Sequence, residues 1–200
     1  MDFPQLHGGA PALDFINTID PRFGPAAVDL LSSPEALRSW AQFAGLAENI
    51  HVDPRGFRRA LDLRDTLDAI FRAVAQGKQS RPRDLTKLRD AYLAVLSRAR
   101  LVGKPGSFEW ELPAQAGVDA LLLPVLTSAL ELLQTPARIR RCPGDNCGWL
   151  FIDETKNGSR KWCSMDPCGS RDKMRRYRSR KRTIRPGPQP TRRANTRVTR

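Results

Sequence analysis

Two hundred residues with 40% hydrophobic content suffice for one ordinary domain and a small appendage, and a net charge of +13 implies a polyanionic partner. No apolar run approaches the roughly 18 residues of a membrane span; the longest is Ala120 to Leu126. The start, MDFPQLHGGAP, has neither a basic n-region nor an apolar h-region, so no secretory signal is read there, and the chain is expected to be cytoplasmic and away from membranes.

The first two thirds read as helical. Pro11 to Ile19 is a short apolar element, expected as a helix. Ser32-Ser33-Pro34-Glu35 has the chemistry of a helix start, and that helix should bury Leu37, Trp40, Phe43 and Ala44 and stop at Gly45. Asp53-Pro54 starts a longer one, with Phe57, Leu61, Leu63, Leu67, Ile70, Phe71 and Val74 as its apolar stripe and Gly77 as its end. Along it, Asp62, Asp65 and Asp68 alternate with Arg58, Arg59, Arg64 and Arg72, the pattern of a solvated, salt-bridged face. After Arg81-Pro82, the residues Leu85, Leu88, Tyr92, Val95, Leu96 and Ala99 share one helical face. Phe108 to Leu112 alternates as a strand does, between turn-like segments at Gly103–Gly106 and Pro113–Gly117. Val118 to Gln134 reads as a central helix, either kinked at Pro124 or regular only from there. Gln134-Thr135-Pro136 is the expected boundary of a helical domain over residues 1–136. No long linker follows, so the next module is free to pack on the helices.

Charge then changes abruptly. Residues 138–200 hold 19 Lys+Arg against 5 Asp+Glu, a balance of +14, whereas residues 1–137 hold 15 against 16, a balance of −1. All four cysteines lie in this last third, as Cys142, Cys147, Cys163 and Cys168, spaced C-x4-C-x15-C-x4-C. Two equal knuckles in a reducing compartment read as one tetrahedral zinc site with four thiolate ligands. Pro143-Gly144 and Asp166-Pro167 suit tight turns within the knuckles. Between the knuckles, Trp149–Ile152 and Arg160–Trp162 read as two strands joined through Asn157-Gly158. Such a site is closed, and the chain has only His7 and His51 upstream, so a structural rather than catalytic zinc is expected. A module this small relies on the metal to fold.

The second knuckle runs into a basic helix. Arg171, Arg175, Arg178 and Arg182 share a face; Lys173, Arg176, Arg180 and Lys181 surround Met174 and Tyr177, which can pack back on the hairpin. With Arg160 and Lys161 these are the candidate nucleic-acid contacts, because guanidinium forks onto phosphate or guanine edges. Duplex DNA, structured RNA and an acidic protein would all suit this charge. From Thr183 on, the Pro- and Arg-rich tail is expected to be disordered. The helical part carries no phosphate loop, nucleophile elbow or His/Asp pairing, so no enzyme is read there. Asp14 and Asn17, three residues apart, are the candidates for lining a ligand pocket.

CGWLFID from Cys147, NGSRKWCSM from Asn157 and CGSRDKMRR from Cys168 resemble the CGNR zinc finger, and ALDFINT from Ala12 with the later SPEALRSW resembles the helical domain usually fused to it. Ser170 stands where the family name has Asn; both cap helices well, but a specific amide contact would be lost. The resemblance implies a bacterial stress-induced transcription regulator with cysteines as metal ligands and the following helix on DNA. The expectation is therefore a mainly α protein: a helical regulatory or sensor domain, then a treble-clef-like or zinc-ribbon-like module over residues 137–182 with a basic C-terminal helix. It is expected to bind one structural zinc and DNA, with the helices either receiving a small-molecule or protein signal or mediating dimerisation; the oligomeric state stays open, a homodimer being one way to secure enough contact. An RNA-binding or ribosome-associated protein, or a protein-interaction adaptor, are the alternatives.

Overall fold

Asp53 and Pro54 open the helix on which the other elements are arranged. In the computed structural model, which describes residues 3–135 and 137–183, the Gly56 N–H donates to Asp53 Oδ1 at 2.5 Å, and Pro54 sits in the first turn, where its missing N–H costs nothing. This helix is Pro54–Ala75 in sequence; with the elements before it, α1 is Pro11–Ile16, α2 Pro34–Phe43 and α3 Pro54–Ala75. They are followed by α4 Pro82–Leu96, a hairpin of β1 Arg100–Lys104 and β2 Ser107–Glu111, and α5 Asp119–Gln134. Then come β3 Ile139–Arg141, β4 Leu150–Ile152 and, after a kinked turn, α6 Ser170–Thr183. Helices dominate, with two small antiparallel sheets, β1-β2 and β3-β4.

The α3 helix touches α1, α2, α4 and α5, and also β3 and β4. Leu67, Ile70 and Phe71 on it are wholly buried, as are Phe15, Ile16, Leu121 and Leu126 around it. Burying each such side chain contributes about 2 kcal/mol. The same apolar cluster includes Ile139 of β3 and Leu150 of β4, so the core runs without a break from the helices into the cysteine-bearing segment.

Three local expectations change. The first helix ends at Ile16, not Ile19: the Thr18 hydroxyl donates back to the Phe15 carbonyl at 2.8 Å, and the Asn17 side chain bonds elsewhere, so both compete with helix continuation. The segment around Gly103 is strand rather than loop, pairing Leu101 with Trp110 and Gly103 with Phe108, and the turn narrows to Pro105-Gly106, where Gly106 has φ +78°. The α5 helix is already regular before Pro124, starting at Asp119.

The charged face of α3 is also not simply solvated. Arg64 is only 3% exposed. Its two guanidinium nitrogens bond Asp29 Oδ1 and Oδ2, both at 2.6 Å, and one also bonds Thr18 Oγ1 at 3.1 Å. Asp68 bridges Arg22 at 2.6 Å and Arg72 at 2.8 Å. Sequence alternation placed these charges on one face but had no means of showing that the Asp20–Leu31 loop would cover it. Arg64→Leu removes the hydrogen bonds of a buried guanidinium but leaves Asp29 open to water, and should cost about 1–2 kcal/mol in denaturant unfolding. Arg58→Leu, on the exposed part of the helix, should change stability by less than about 0.5 kcal/mol.

Candidate metal centre and nucleic-acid surface

The first knuckle hangs from β3 and β4. The Cys142 N–H donates to the Trp149 carbonyl at 2.8 Å, and the Cys147 N–H to the Gly144 carbonyl at 3.0 Å, which closes the turn. Gly144 is required there: a Cβ on it would lie 2.9 Å from Cys168 Sγ. The second knuckle delivers Cys163 and Cys168, the latter at the foot of α6. All four thiols are buried, and their sulfurs lie within 4.8 Å of one another. Cys147 and Cys163 are 3.7 Å apart at sulfur, as are Cys163 and Cys168. A tetrahedral zinc with bonds of about 2.3 Å sets sulfurs about 3.8 Å apart, whereas a disulfide would bring a pair to about 2 Å.

Protonation chemistry agrees with a cation. Hydrogen bonds from Cys147 and Cys163 pull the Cys142 thiol down to about 2. The same contacts hold the partners neutral: the bond to Cys142 pushes Cys147 up and Cys163 up to about 12. Burial raises Cys168. Thiols crowded this closely oppose one another's ionisation, and a divalent metal is what would let all four ionise.

The partner of β4 is not the one the sequence suggested. Arg160–Trp162 forms no strand; β4 pairs with β3 instead, Arg140 opposite Phe151 and Arg141 opposite Leu150. The reason lies on the other edge of β4, which other groups already occupy. The Leu150 N–H donates to Asn17 Oδ1 at 2.9 Å, and Asn17 Nδ2 donates to the Leu150 carbonyl at 2.8 Å. The Ile152 N–H donates to the Gly8 carbonyl at 2.9 Å, and Arg160 Nη1 to the Ile152 carbonyl at 3.0 Å. Asn17 therefore acts as a surrogate third strand one residue long.

A second seam joins the knuckle to the loop after α1. The Arg22 and Phe23 N–H groups donate to the carbonyls of Cys147 and Asn146, at 3.1 and 2.9 Å. Trp149 Nε1 donates to the Ile19 carbonyl at 3.1 Å, and Arg72 Nη2 to the Gly148 carbonyl at 3.1 Å. The Phe23 ring receives the guanidinium of Arg72 at 5.1 Å and that of Arg141 at 5.7 Å. Neither Arg22 nor Phe23 lies in any periodic pattern, so nothing in the sequence marked them.

Asp14 and Asn17 do share one small crevice, with Trp40 and Trp149, but they face different groups. Asn17 is committed to Leu150. Asp14 Oδ1 accepts from the Gly8 N–H at 2.7 Å, and burial raises its carboxyl to about 6.

The ten basic candidates divide by their surroundings. Arg160 is turned inward: its guanidinium lies 4.5 Å over the Phe151 ring and donates to the carbonyls of His7, Ile152, Trp162 and Cys163. Arg175 is tied to Asp145 and Asp172, both at 2.6 Å, and Arg176 to Asp172 at 2.8 Å. These ties fix the start of α6 against the first knuckle. Lys161, Lys173, Arg178 and Arg180 are exposed and have no carboxylate partner among the described residues. Arg171 is exposed near Asp20. Lys181 lies 5.9 Å over the Tyr177 ring; Tyr177 and Met174, expected to pack back, are 59% and 50% exposed. The side chain of Arg182 and the expected disordered tail beyond Thr183 lie outside the described residues.

A helical core runs without a break into a buried four-cysteine cluster, and that cluster leads directly into a cationic helix. The chain belongs to the ABATE family, described as "Putative stress-induced transcription regulator", which it matches over residues 9–136; residues 138–181 match the CGNR zinc finger. No curated protein matches it. The four cysteines hold one zinc.

Two predictions follow from the seam. Asn17→Ala strands the Leu150 N–H and carbonyl in the core and should cost about 3 kcal/mol in chemical denaturation of the zinc-loaded chain. Asp14 is disfavoured as an anion by folding, since its pKa of about 6 lies above the ordinary 3.8. Its penalty is full at neutral pH and disappears as pH falls from 6 toward 4. Asp14→Asn should therefore stabilise the protein at pH 7 by up to about 3 kcal/mol and flatten the stability profile between those pH values.

Proposed function

We propose that the chain regulates transcription by binding duplex DNA through α6, with zinc holding that helix at a fixed angle to a helical regulatory domain. Residues 1–136 form the regulatory part in this reading, and residues 137–182 a treble-clef-like reader. The observation that carries it is the sorting of charge on α6. Asp172 and Asp145 pair with Arg175 and Arg176, while Lys173, Arg178 and Arg180, equally exposed, have no carboxylate partner among the described residues. A cationic helix with uncompensated charge is stabilised by a polyanion, and exposed arginines can reach both phosphates and guanine edges. Described family membership supports regulation, and no helix among the described residues is long and apolar enough to cross a membrane.

Selection of the zinc-loaded chain on a random duplex library at physiological salt, with structured RNA as competitor, tests this. An enriched duplex motif is the expected result; loss of the duplex to RNA would transfer the reading to an RNA-binding protein. Arg178→Ala should lower duplex affinity and reduce the salt slope by about one, with zinc content unchanged. An unaltered slope would remove α6 as the contact surface.

A further inference from the structure

We propose a second binding site, on the helical part, that takes a small oxyanion: a phosphate-bearing or polycarboxylate molecule. It is a pocket of about 500 Å³ whose walls include Arg55 and Arg59 of α3, Arg98 after α4, His51, and the Gly117–Asp119 start of α5. That size suits a small organic ligand.

The pocket is built around Asp119, which is 0% exposed. Arg98 donates to its Oδ2. Arg59 Nη2 stands 2.8 Å from Oδ1, but out of line, so that this buried oxygen accepts no hydrogen bond. A single arginine would neutralise one carboxylate; here a buried carboxylate anchors two. The side chains of Arg59 and Arg98 remain 38% and 47% exposed, so their outer N–H groups are available to the pocket. A guanidinium has five N–H donors, and Asp119 engages only part of each set. Arg55 adds another cation, exposed and without a carboxylate partner among the described residues. The other acid in the wall, Asp53, is turned to the Gly56 N–H at the cap of α3. Three guanidiniums thus line the pocket with two carboxylates, Asp119 wholly buried behind its arginines and Asp53 capping α3, and the unspent donors suit paired anionic oxygens.

Nothing in the DNA reading uses this pocket, so its test is independent of that reading. The full zinc-loaded chain, isotopically labelled, is titrated separately with inorganic phosphate and with citrate at constant ionic strength. The backbone amides of Gly56 and Gly117, which line the pocket, are followed by NMR. The expected result is saturation of both amides with at least one probe, weakened about tenfold or more in Arg98→Gln and in Arg55→Gln. Arg55→Gln changes an exposed side chain, so it keeps the test valid if Arg98→Gln perturbs the fold. Saturation with phosphate alone assigns a phosphate ester, and with citrate alone a polycarboxylate. Linear, non-saturating shifts with both probes, or saturation unaffected by both substitutions, would overturn the proposal.

Discussion

A sheet of two strands, each three residues long, cannot stand by itself, and everything around the metal depends on how this chain solves that problem. The open edge of β4 carries polar groups that would be buried without partners, each a cost of about 1–3 kcal/mol. The Asn17 carboxamide, the Gly8 carbonyl and the Arg160 guanidinium occupy them one by one. Zinc gathers the four sulfurs, but it is this borrowed edge that sets the sulfur-bearing turns on the helices. The metal centre and the helical core are in that sense one structure, joined by backbone bonds and by a common apolar cluster.

That arrangement gives α6 a definite direction. Its first turn bears Asp172, largely buried, which holds Arg175 and Arg176, and Arg175 reaches Asp145 in the first knuckle. Arg175 and Arg176 are thereby tied down at the base of the helix, whereas Lys173, Arg178 and Arg180 have no carboxylate partner among the described residues. A helix of this composition repels itself along its length, and the ion pairs at its base offset part of that repulsion.

How much of this was legible beforehand depended on whether the signal was local. Helix starts at Ser33-Pro34 and Asp53-Pro54, and stops at Gly45 and Gly77, were readable because caps and left-handed glycines act within a few residues. The cysteine spacing was readable because a metal imposes its own geometry. What was not readable is where unlike segments meet. Arg160–Trp162 has strand composition, yet the edge it would have joined is taken by the Asn17 side chain, 133 positions before Leu150, by the Gly8 carbonyl and by Arg160's own guanidinium. Asp14 and Asn17 were noticed as a polar pair on an apolar helix, but sequence offered no way to see that one amide would imitate a strand. The charges of α3 looked like a surface because the loop that covers them, with Arg22 and Asp29, has no periodicity to reveal it.

The Phe23 ring, lying between Arg72 of α3 and Arg141 of β3, bears on how such proteins can be inherited. Gly148, at φ +66°, leaves room for that ring where any side chain would collide with it. A finger of this kind transferred by recombination to an unrelated domain would carry its metal ligands with it, but would leave behind the ring, the carboxamide and the arginine that seat it. The sheet edge and the Gly148 turn would then be left without the groups that cover them here.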